Sequence, residues 1–344
     1  IAGARSEHYP TPGLLPLVDL GAALETDLAR RDFTVNALAL ELSGDYGALL
    51  DVVGGTADLQ ARMLRTLHAA SFYDDPTRLF RALRYSARIG YDFEAVTREQ
   101  FGCAIDSGNI DCLSPERVRH ELELIAREPD WADVWQAMHF SGLLHSVHAA
   151  LIDVYTGWLP SDARALDTAI RNRGDLLAHE EMEPWLVRTA WALEGVENSM
   201  IEAVGQRIGL FTRHLRWLLQ SRDVLADASA ERVQELPPSL ACALLERFAR
   251  QAVLIATFVF QPRTNDDVDL RKTLLHFIED WSHVRSEMSS EELRALGLEP
   301  GPAFGALRNQ LRYLRLDGII ASVEQERGYA RQYIAGLAEG SGEQ

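Results

Sequence analysis

The chain has 344 residues, with 34 Lys and Arg against 51 Asp and Glu, a formal charge of −17, and 47% hydrophobic and 25% charged residues. These values exclude a disordered polymer, a collagen and a membrane-spanning bundle, since no run reaches the roughly 18–20 apolar residues that cross a bilayer. The acidic balance argues against coating nucleic acid through bulk charge, and leaves a local basic site open.

The length exceeds what one core holds, so two or more domains are expected. Over the first sixty-odd residues glycine, proline and short apolar runs dominate. The pattern predicts a helix over 25–33, then a hairpin of 37–42 and 48–53 turning at Ser43-Gly44-Asp45 and closed by Gly54-Gly55. From there helical periodicity is almost continuous, over 76–89, 115–127, 130–140, 184–192, 211–225, 238–260, 270–286 and 304–316. The fold class is therefore α+β, a small mixed piece followed by a long all-helical body. Cys103, Cys112 and Cys242 have no CxxC spacing and read as free thiols of a reducing cytoplasm. No secretory leader is read, and the opening at Ile1 suggests a chain cut from something longer.

The helix over 76–89 carries the strongest chemistry. Asp75 before Pro76 reads as an N-cap with proline at the first helical position. Arg78, Arg81, Arg84 and Arg88 share one face with no acid at a matching i+4 position, so they repel one another unless an anion or base neutralises them. Residues 60–90 hold six Arg against two Asp, a local +4 suited to triphosphate or RNA backbone. A purely structural capping role for Asp75 and a ligand-binding role both fit this spacing.

Other candidates carry less. Arg30-Arg31-Asp32 at a helix end offsets the helix dipole or binds a ligand, with Asp32 orienting Arg31 and Asn36 reaching sugar or backbone. Gly54-Gly55 reads as a tight turn more readily than a phosphate cradle. His139, His145 and His148 put no clean pair on one helix face, which argues against a metal site there. No adjacent His-Asp pair marks a phosphohydrolase domain.

Four stretches follow in order: Arg30-Arg31-Asp32-Phe33-Thr34-Val35-Asn36-Ala37-Leu38-Ala39, Asp51-Val52-Val53-Gly54-Gly55-Thr56-Ala57-Asp58-Leu59, Asp74-Asp75-Pro76-Thr77-Arg78-Leu79-Phe80-Arg81-Ala82-Leu83-Arg84-Tyr85 and Glu116-Arg117-Val118-Arg119-His120-Glu121-Leu122. Together they resemble the class II tRNA nucleotidyltransferase/poly(A) polymerase family of bacterial CCA-adding type. Leu296-Gly297-Leu298-Glu299-Pro300-Gly301-Pro302 is similar to that family's tail. The resemblance implies part of a nucleotidyltransferase head over 1–67, a helical neck over 68–130, and an all-helical, tRNA-binding body and tail over 131–344, elongated overall. It assigns nucleotide contacts to Arg31, Asp75, Arg78, Arg81 and Arg84, with Asp32 and Asn36 in support. The implied activity is addition of C and/or A to the tRNA 3′ end with pyrophosphate release. Poly(A) polymerase, CC-adding and A-adding specialists, and a non-catalytic RNA-binding relative are the alternatives.

The family's reaction uses Mg²⁺ held by an Asp-x-Asp pair after a Gly-Gly-x-x-Arg-Asp loop, and neither precedes Arg30. Asp267-Val268-Asp269 reads as a cap in a loop before a helix. The expectation is that the Mg²⁺ ligands lie on sequence not given or on a separately encoded half. On that reading this chain holds no catalytic carboxylate and is inactive alone. The expected partners are ATP, CTP and tRNA, with no membrane, in the cytoplasm.

Overall fold

A computed structural model describes residues 3–44, 46–152 and 160–340, with side chains for all but Pro160 and the last three of these. The described residues form two compact units, Ile1–Asn172 with Met182–Leu215, and Arg173–Glu181 with Arg216–Gln344. None of their helices is long and apolar enough to cross a membrane.

The first unit opens with β1 (Arg5–His8) antiparallel to β2 (Leu17–Leu20), Arg5 opposite Leu20. Helix α1 covers Leu24–Ala29 and stops short of the predicted end at 33. Tertiary pairing stops it: Phe33 is extended, fully buried and bridged to Thr66, while Thr34 N–H donates to the Arg65 carbonyl at 2.9 Å. Burying a whole phenylalanine outweighs another turn of helix. A 3₁₀ turn at Thr34–Asn36 leads into the predicted hairpin, β3 (Leu38–Leu40) against β4 (Leu49–Asp51), with Ala39 opposite Leu50. Asp45 of its turn lies outside the described residues.

Helix α2 (Gly55–Ala61) follows, then β5 (Met63–Leu64), parallel to β6 (Asp92–Phe93). Between these strands lie α3 (Ser71–Asp74) and α4 (Thr77–Ile89), the latter closed by Gly90 at φ +65°. Helix α4 buries Leu79, Phe80, Ala82 and Leu83, and packs on α6 (Pro115–Ala126) and α7 (Trp131–Phe140) beyond α5 (Ala95–Asp106). Ser114 caps α6 by accepting the Arg117 N–H, with Pro115 at the first position. Trp131, Trp135, Ile125 and Met138 are almost wholly buried and hold this layer together.

In the second unit the predicted helix over 238–260 is two, Pro238–Leu245 and Arg250–Val259. Ala249 is extended and gives its N–H to Gln220 Oε1 at 3.2 Å, a bond from outside the segment. The predicted helix over 270–286 runs instead over Asn265–Glu279, started early by a capping box of Thr264 and Asp267. Asp267 is thus a cap, within the first turn rather than in a loop, and Asp269 pairs with Lys272 at 2.8 Å. Met288, Leu293, Leu307 and Leu311 form a separate apolar cluster near the C-terminus.

Candidate functional site

The four arginines of α4 meet four different environments. Arg81 donates through Nε to Asp32 Oδ2 at 2.8 Å, and through Nη2 to Asp32 and to the Tyr85 hydroxyl. Arg88 donates through Nε to Glu128 at 3.0 Å. Arg84, 5% exposed, lies 3.6 Å from Glu121 and 3.5 Å from Glu128. The expectation that this face needs an external anion is therefore corrected for these three. Their acids come from α6, from the turn after it and from Asp32, beyond the reach of an i+4 rule.

Arg78 differs. It is 5% exposed and, among the described residues, has no carboxylate within 4 Å. Its Nη1 donates to Ser71 Oγ at 2.7 Å and points to His68 Nε2 at 3.5 Å, and its Nη2 donates to the Arg30 carbonyl at 3.0 Å. Neutral acceptors satisfy geometry and leave the charge uncancelled, to act on whatever enters beside it.

Asp75 serves twice. Its Oδ1 accepts from Thr77 N–H at 3.1 Å, the Thr77 hydroxyl at 2.7 Å and Arg117 Nη2 at 2.8 Å. Among the described residues nothing donates to Oδ2. One oxygen thus opens α4 and the other keeps free lone pairs. Arg117 also donates to the Gly13 carbonyl at 2.6 Å. Its motif was visible in sequence, yet nothing there indicated that the start of α6 would meet Asp75.

The segment around Arg31 is organised by Asp27, which is buried and accepts from Arg30, Arg31 and the Arg5 N–H. Burial pushes its carboxyl upward, but these bonds prevail and hold its pKa at about 2. Asp32 orients Arg81 rather than Arg31, and its Oδ1 takes the Phe33 N–H at 2.9 Å and Asn36 Nδ2 at 3.0 Å. The Gly54-Gly55 turn is not an open phosphate cradle, because Asp51 accepts the N–H groups of Val53, Gly54, Gly55 and Thr56. Its carboxyl sits at about 2, chiefly through the Thr56 bond.

Gly55 also lets α2 approach the Arg31–Asn36 segment, since a Cβ there would lie 2.2 Å from the Thr34 carbonyl oxygen. Gly55→Ala is expected to cost about 1–3 kcal/mol. Urea unfolding checks it, and an unchanged midpoint would deny that close approach matters.

These side chains surround a cleft of about 570 Å³. Arg5, Arg30, Arg31, Arg78, Arg81 and Arg117 line it against Glu7, Asp32 and Asp75, six cations to three carboxylates in a −17 chain. Tyr9, Asn36 and Tyr85 complete the polar wall, and burial lifts the Tyr9 hydroxyl to about 12. Of the sequence-predicted residues, Arg31, Asp32, Asn36, Asp75, Arg78 and Arg81 are brought together here. Arg84 is not on the wall; it is held behind it by Glu121 and Glu128.

The residues present do not fit a Mg²⁺ site. Glu7, Asp27 and Asp32 are committed to arginines, and among the described residues no group of three or more His, Cys, Asp or Glu gathers to hold an ion. His148 spends Nδ1 on the Ala150 N–H.

Residues 1–65 match the family model of the poly A polymerase head domain. The A-adding tRNA nucleotidyltransferase of Geobacter sulfurreducens is 28% identical over 337 residues, 95% of this chain, which spans only 37% of that protein's length. The CC-adding tRNA nucleotidyltransferase of Deinococcus radiodurans is 32% identical over 339 residues, 96% of this chain and 72% of its own. A solved CCA-adding enzyme without ligand superposes with a TM-score of 0.75 at 23% identity, covering 97% of this chain and 76% of that one, and so shares the fold. The Deinococcus pairing spans nearly the whole chain, and the chain belongs to the class II tRNA nucleotidyltransferase/poly(A) polymerase family.

Proposed function

We propose that this chain forms the nucleotide-selecting part of a tRNA nucleotidyltransferase, which adds C and/or A to the tRNA 3′ end without a nucleic-acid template and releases pyrophosphate. The observation that carries the reading is the free Asp75 oxygen on the same cleft as the uncancelled Arg78 guanidinium. Cytosine presents an amino donor beside the N3 acceptor, and adenine an amino donor beside N1. Carboxylate and guanidinium match that order. Guanine and uracil present the reverse and would leave buried groups unpaired. Arg31 and Arg81 face the same space and suit the triphosphate; Arg84 acts through the packing behind them. The A-adding and CC-adding names of the relatives support this substrate class.

The division into head (1–67), neck (68–130) and body with tail (131–344) follows the family resemblance, with the helical part holding tRNA by shape and phosphate contacts. We assign the Mg²⁺ ligands to polypeptide outside this sequence, in line or separately encoded. Leu17, Leu20, Leu40, Leu42 and Leu49, each more than half exposed on or beside the first two sheets, offer it an apolar seat.

The test is equilibrium binding of the four nucleoside triphosphates to this chain, paired with incorporation on tRNAs ending before and within CCA. ATP and CTP are expected to bind more tightly than GTP and UTP, with no incorporation until the metal-binding part is restored. Equal affinity for all four would sink the selection reading, and incorporation by this chain alone would sink the assignment of the metal ligands.

A further inference from the structure

Arg78 is positioned by neutral groups, and one of them is the imidazole of His68. The His68 ring lies with Nε2 3.5 Å from Arg78 Nη1, and with Nδ1 3.9 Å from Asp74 Oδ2. A guanidinium only donates, so Nε2 must present its lone pair and the proton must sit on Nδ1, facing Asp74. The ring is neutral in this arrangement, and it completes a cradle with Ser71 Oγ and the Arg30 carbonyl.

We propose that His68 is a positioning residue for base selection, holding Arg78 in register with Asp75 while neutral and releasing it when protonated, so that discrimination against G and U falls with pH. The inference rests on the selection reading above. The charged groups facing the ring are Arg78 of α4 and Asp74 of α3. Burial first, then the Arg78 charge, holds the imidazole pKa below its usual value, with Asp74 opposing. Selection is therefore intact at neutral pH and lost on the acid side. Protonation removes an acceptor from Arg78 and places a second cation beside it, and like charges at that distance repel strongly in a partly buried site.

The experiment measures ATP and GTP affinities of this chain with Mg²⁺ at pH 7.5 and 5.5. Neither base titrates between these values, and the triphosphate common to both cancels in the ratio. The ATP-to-GTP preference is expected to fall as the pH is lowered, by about tenfold once the ring is fully protonated. In His68→Gln the preference should be lower but flat with pH. A wild-type ratio that stays constant, or that falls equally in His68→Gln, would overturn the proposal while leaving base selection standing. No ATP preference at pH 7.5 would instead remove the selection reading and this inference with it. A second readout needs no nucleotide: the His68 ring pKa, followed by NMR, should rise in Arg78→Gln, and an unchanged value would break the link between the two residues.

Discussion

Arg78→Ala is expected to lower the preference for ATP and CTP over GTP and UTP by about a hundredfold, the loss of roughly 2–3 kcal/mol that a buried charge-assisted donor supplies. In the proposed function the guanidinium is the partner for N1 of adenine or N3 of cytosine, and it carries its charge into the cleft uncancelled. Arg78→Lys should keep much of the triphosphate affinity and little of the selection, because an ammonium lacks the planar fork that places a donor beside the Asp75 acceptor. Equilibrium binding of the four nucleotides to each variant, with melting curves to confirm folding, reads this directly. If Arg78→Ala discriminates as the parent does, Asp75 and Arg78 are not the selector.

The largest stability effect is expected at Glu128. It is 6% exposed and takes Arg88 at both oxygens while lying 3.5 Å from the buried Arg84. Glu128→Ala strands Arg84 with Glu121 alone at 3.6 Å and should cost about 3–5 kcal/mol, the usual loss when one partner of a buried ion pair is removed. Burial already pushes the Glu121 carboxyl above its usual range, against the pull of Arg84, so it is a poor substitute. Replacing Arg84 by methionine should cost less than Glu128→Ala, because it removes the buried charge rather than isolating it. Urea denaturation compares the two. An unchanged midpoint for Glu128→Ala would show that the ion pairs behind α4 carry no stability.

The same helix shows how far sequence reading reached. The buried apolar face and the row of arginines follow from neighbours within one or two turns, and the structure has them; the helix starts at Thr77, one residue after the predicted Pro76, with Asp75 taking the Thr77 N–H. The hairpin was legible through its turn residues and the start of α6 through its helical periodicity, while the Ser114 cap came only with the structure. Local pattern failed where a distant group intervened. Phe33 left the predicted helix to fill the core against Thr66, and Gln220 took the Ala249 N–H where continuous helix was expected.

Sequence alone determined the α+β order, the Asp75 cap, the family and the face of α4 on which the arginines stand, because each depends on residue type and short spacing. Only the tertiary structure decided what each arginine does. Arg81 meets Asp32 from 49 positions away, Arg88 meets Glu128 from 40, and Arg117 reaches Asp75 from 42. No pattern within a helix can forecast which charges such distant carboxylates cancel. The fold cancels three of the four on α4 and leaves Arg78 on neutral acceptors, with its charge available to the cleft.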